Sequence, residues 1–135
     1  MKRQAGIWID HKEAVLVFVD ERVEGIKDPV DTETTQHILS GVDRNDRFAG
    51  HAASADDQRD RQYAAHIETW FDALIAKLSA VKSILVLGPG EARIEFRKRL
   101  EAKGLGDRII GVEAVDKMSD EQIVARVRKQ FEKQT

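Results

Sequence analysis

"SILVLGPGEARIEFRKRL", residues 83–100, changes character halfway along. Ser83 to Leu87 is a short, almost wholly apolar run, the pattern of a strand covered on both faces. Gly88-Pro89-Gly90 then breaks the chain, and a charged segment begins at once. Ile94, Phe96 and Leu100 predict a helix from about Glu91 to Lys103, with Gly104 placed as its C-cap. Gly90 is expected to hold a restricted backbone conformation at this corner.

The pattern extends in both directions. "AGIWID" (5–10) and "AVLVFVDE" (14–21) are β-branched or aromatic runs separated by His11-Lys12-Glu13, which reads as a hairpin. "RVEGIKD" (22–28) reads as a weaker third strand closed by Pro29. Residues 29–55 read as an irregular loop, although "DTETTQHIL" within it has strand character. So long a loop predicts a functional or mobile segment. From Asp56 the spacing of Tyr63, Ile67, Trp70, Phe71, Leu74, Ile75 and Leu78 predicts a long amphipathic helix. "RIIGVEAV" (108–115) predicts a fifth strand. Ser119 with Gln122 forms a capping box before a last helix whose core face is Ile123, Val127 and Phe131.

The resulting order, βββαβαβα, predicts one α/β domain over residues 1–135. It is a mixed five-stranded sheet of RNase H-like topology with helices packed on its faces. The 135 residues are enough to bury a core without staples. The absence of cysteine excludes a disulfide framework and any thiolate zinc site. No apolar run reaches the ~20 residues of a membrane span, and the expectation is a cytoplasmic protein with no membrane partner. A net charge of -2 argues against a general polyanion binder such as a DNA-coating protein. Arg93, Arg97, Lys98, Arg99 and Lys103 crowd one helix, but Glu91, Glu95 and Glu101 are interleaved with them.

If the first, third, fourth and fifth strands run the same way, their C-terminal ends share one edge of the sheet. Asp10 with His11, the 29–55 loop carrying Gly50 and His51, Gly88 to Gly90, and Asp116 would all emerge there. Ligands of open α/β sheets favour that edge. Arg93, Arg97 and Lys98 on the following helix complete the candidate binding set. Two-metal nuclease chemistry would need several carboxylates converging on cations ~3.5–4 Å apart. Asp10 and Asp116 are placed for it, but the fourth strand ends in glycine and proline rather than an acid. Asp10 reads more simply as a hairpin residue accepting backbone hydrogen bonds. Gly88-Pro89-Gly90 lacks the Lys-Ser/Thr of a P-loop. The four histidines show no metal-ligand spacing. Neither metal nor cofactor is expected.

"LVLGPGEARIEFRKRL" (85–100) resembles the strand-turn-helix of the central domain of archaeal and eukaryotic class I release factors and of their relative Pelota. Arg93 stands where those proteins carry lysine, and Phe96 where they carry an aromatic. "IWIDHKEAVLVF" and "GVEAVDKMSDEQIVARVRKQF" are similar to the small bacterial members of that superfamily, described only as translational machinery proteins. The resemblance implies a ribosome or tRNA partner. In release factors a Gly-Gly-Gln before the long helix promotes hydrolysis of peptidyl-tRNA. Here the corresponding loop reads "ILSGVDRNDRFAGHAASADDQ" (38–58), with Ala49-Gly50-His51 its nearest approach. The implied function is a non-catalytic ribosome- or tRNA-associated module acting in translation rescue or dormancy. Two alternatives stand beside it: a hydrolase of peptidyl-tRNA or nucleic acid using Asp10, His51 or Asp116, and a homo-oligomer without an RNA partner.

Overall fold

The computed structural model describes residues 3–20, 33–41 and 53–132. Its central strand is β1 (Arg3–Ile9), which pairs antiparallel with β2 (Glu13–Asp20) and parallel with β4 (Val81–Gly88). Beyond β2 lies β3 (Glu33–Leu39), antiparallel to it, and beyond β4 lies β5 (Ile109–Ala114), parallel to it. The order is β3-β2-β1-β4-β5, a mixed sheet in which β1, β3, β4 and β5 run one way.

Alternation along the strands feeds two cores. Ile7, Ile9, Leu16, Phe18, Ile84 and Val86 face one side. There they meet the helix α1 (Ala53–Lys77), through Ile67, Phe71, Leu74 and Ile75, and the helix α2 (Ala92–Ala102), through Phe96 and Leu100. Phe71 and Phe96 lock the two helices with rings edge-to-face at 5.4 Å. Trp8, Val15, Val17, Leu85 and Leu87 face the other side, under Ile123, Val127 and Phe131 of α3 (Asp120–Glu132). Seven of the eight β4 residues are buried, as the apolar run predicts for a strand covered on both faces.

Local signals place the ends. Glu91 is the N-cap of α2 and Lys103 its C-cap, and Gly104 follows with φ +84°. The Ser119 capping box forms in both directions: the Ser119 N–H donates to Gln122 Oε1 at 2.9 Å, and the Gln122 N–H to Ser119 Oγ at 3.2 Å.

Two expectations are corrected. The third strand is Glu33–Leu39, inside the span expected to be an irregular loop, and α1 begins at Ala53 within the same span. Residues 22–28, expected to form that strand, lie outside the described residues. Its sequence gives a weak signal because, among the described residues, β3 pairs only with β2: Thr34, Thr35 and His37 are exposed, and of its side chains Ile38 alone packs against the core. Gly90 has no positive φ, and among the described residues a Cβ there would meet nothing within 4 Å. The constrained glycine of the corner is Gly88, whose Cβ would sit 2.3 Å from the Ile9 carbonyl oxygen.

Candidate functional site

The C-terminal ends of β1, β4 and β5 converge as expected, and hydrogen bonds to the backbone tie them together. Gly88 accepts the Val115 N–H at 3.0 Å, and the Trp8 indole donates to the Asp116 carbonyl at 3.2 Å. Asp10 closes the β1–β2 turn: its Oδ1 accepts the N–H groups of Lys12 and Glu13, each at 2.8 Å. One carboxylate oxygen is thus committed to the hairpin, as expected of an aspartate in a tight turn.

His11, next in the chain, turns toward α2. Its Nε2 lies 3.1 Å from Glu95 Oε2, and its ring meets Tyr63 of α1 edge-on at 6.4 Å. The other histidines on described residues also join separate layers. His37 of β3 reaches Asp120 at the start of α3 at 2.6 Å, and His66 of α1 donates to the Ser40 carbonyl at 2.7 Å. Among the described residues no group of three or more His, Cys, Asp or Glu side chains is placed to hold a metal. Gly50 and His51 lie outside the described residues.

The three basic residues proposed from sequence do not form one patch. Arg93 folds back onto the turn and donates to the Gly90 carbonyl. Arg97 pairs along the helix with Glu101 at 3.6 Å. Lys98 lies around the helix on the wall of a groove of about 390 Å³ between α1 and α2, with Tyr63, Ile67, Glu68 and Phe71. Between the same helices, Arg99 grips Asp72 with two bonds, Nε to Oδ1 at 2.7 Å and Nη2 to Oδ2 at 2.8 Å. These hydrogen bonds, with the attraction of the guanidinium and of Lys103, hold the Asp72 carboxyl below its ordinary range, while desolvation opposes them.

Solved structures with this arrangement exist. The Pelota protein of Thermoplasma acidophilum superposes with a TM-score of 0.54 at 16% identity, covering 98% of this chain and 38% of that one. This chain has a Pelota-like fold. An archaeal translation termination factor, aRF1, aligns at a TM-score of 0.46 and 14% identity, over 97% of this chain and 39% of that one. Both neighbours are therefore much longer, and the present chain spans about two-fifths of each. No family model matches the sequence, and no curated protein matches it.

The pairs that knit this edge were missed by sequence reasoning. Glu95, Asp120 and Glu13 carry no motif; each finds its partner across the fold, His11 and Glu95 being 84 residues apart. Only the strand order brings them together. Glu13 receives Lys117 at 3.5 Å, which links the β1–β2 turn to the segment after β5.

Proposed function

We propose that this chain is a non-catalytic module that associates with ribosomes or tRNA and acts in translation rescue or dormancy. The observation that carries this reading is the alignment of nearly the whole chain with one stretch of Pelota. The sequence adds a second strand of support, because residues 38–58 contain no Gly-Gly-Gln. The candidate edge adds a third: Asp10 is engaged in a turn and His11 with Glu95, so neither stands as a free base beside an open carboxylate cluster.

Sedimentation through a sucrose cushion tests the proposal. The protein should pellet with ribosomes at about 50 mM salt and be released progressively by about 200 mM, as phosphate contacts give way to counterions. It should leave peptidyl-tRNA intact in the same mixture. A protein that remains in the supernatant at the lower salt, and binds no tRNA, is not such a module. Peptidyl-tRNA hydrolysis abolished by His51→Ala would establish the hydrolase instead.

A further inference from the structure

Among the described residues, the two ends of the sheet differ in charge. At the end where β1, β4 and β5 finish, Asp10, Glu13, Glu91, Asp116, Asp120 and Glu121 stand against Lys12, Arg93 and Lys117. Polyanions are repelled from such an excess of carboxylates. At the opposite end, the connections entering β4 and β5 carry Lys77, Lys82, Lys103 and Arg108 against Asp107 alone. The acids closest to that group are already matched, Glu101 by Arg97 and Asp72 by Arg99, with Lys103 Nζ also 3.8 Å from Asp72 Oδ2. Arg3 and Asp20, opposite one another in the β1–β2 register, are one residue of each sign.

The basic end is also held together. Arg108 Nη1 donates to the carbonyls of Ser79 at 2.6 Å and Val81 at 3.1 Å, so the connection before β5 is bolted to the turn before β4. This fixes the backbone from which Lys77 and Lys82 project. Lys77 and Lys103 sit at helix C-termini, where the dipole favours a cation whatever the function. Lys82 lies on a strand, is exposed, and is the one exposed residue on an otherwise buried β4. Among the described residues no carboxylate pairs with its ammonium.

We infer that the end of the sheet where β4 and β5 begin is the RNA-docking surface, with Lys77, Lys82 and Lys103 contacting phosphates. The acidic edge around Asp10 and Asp116 faces away from the RNA. This rests on the ribosome or tRNA association proposed above and locates it on the fold. It also moves the interaction away from Arg93, Arg97 and Lys98, whose helix carries Glu91, Glu95 and Glu101 among them.

Two triple variants test the placement, each keeping helix propensity or side-chain length: Lys77→Gln/Lys82→Gln/Lys103→Gln, and Arg93→Gln/Arg97→Gln/Lys98→Gln. Binding to purified ribosomes and to unfractionated tRNA is measured across a salt series, with melting midpoints confirming that both variants fold. Removing one lysine–phosphate interaction makes the slope of log K against log salt shallower by ~0.7–0.9. The lysine triple should therefore lose about 2–3 units of slope and bind at least tenfold more weakly at low salt. The arginine triple should match the parent. The reverse pattern, or an equal weakening in both, overturns this placement while leaving the association standing. A parent protein that binds neither ribosomes nor tRNA removes the association itself, and the docking surface with it.

Discussion

A methyl group at Gly88 would press on the Ile9 carbonyl, which belongs to the backbone of the central strand and cannot yield without moving β1. At Gly6 it would meet Val127 Cγ2 at 2.2 Å, a buried β-branched side chain with little freedom to turn. At Gly90 it would meet nothing described. Gly88→Ala should therefore destabilise by ~1–3 kcal/mol or more, Gly6→Ala by ~1–3 kcal/mol, and Gly90→Ala by less than ~0.5 kcal/mol. Urea denaturation midpoints would check the ranking, and a Gly90 variant as damaged as the Gly88 variant would refute it. The sequence pointed at the right tripeptide and the wrong glycine. A corner announces itself locally, but the crowding at Gly88 comes from a strand some eighty residues earlier, which no local pattern records.

Among elements, the helices were legible because each carries its apolar stripe over several turns, from Ile67 to Leu78 in and just beyond α1 and from Ile123 to Phe131 in α3. Their ends were legible where a side chain makes the cap, as Ser119 does. Ser119→Ala should cost about 1 kcal/mol, seen as a lowered denaturation midpoint with unchanged m-value. What joins α1 to α2 was not legible, since Asp72 and Arg99 lie 27 residues apart and Arg99 is one of several cations on a charged helix. Because the Asp72 carboxyl is held below its ordinary range in the folded protein, its contribution is fully present above the ordinary carboxylate value. It is lost as pH falls through the lowered one. The stability gap between the parent and Asp72→Asn should accordingly be modest at neutral pH, the pair being partly exposed, and should close as the pH falls below the ordinary carboxylate range. Urea midpoints at the two pH values measure it; a gap that widens on acidification contradicts the assignment. β3 was the element most easily misplaced, since among the described residues it pairs only with β2, and "ETTQHIL" carries only two apolar residues.

For the whole molecule, the sheet followed from counting elements and applying the pairing rules, and the converging edge followed from the sheet. The chemistry of that edge did not follow. Asp10, His11 and Asp116 arrive where expected, yet Asp10 makes a turn, His11 a hydrogen bond with Glu95, and Asp116 a backbone acceptor for Trp8. Convergence of residues is a property of strand direction; what they do depends on neighbours contributed by other layers. The central position of β1 carries a further implication for how the chain is made. The hairpin of β1 and β2 is local and can close as soon as both strands have been synthesised, but the other edge of β1 belongs to β4. Roughly 70 more residues must be polymerised before that partner exists, several seconds at ~5–20 residues per second. Throughout that interval the nascent hairpin presents the open edge of β1 to neighbouring chains, and the apolar face of Ala5, Ile7 and Ile9 stays bare until α1 has been made. Slower translation across residues 21–80 lengthens that exposure and should raise the fraction of chains that aggregate.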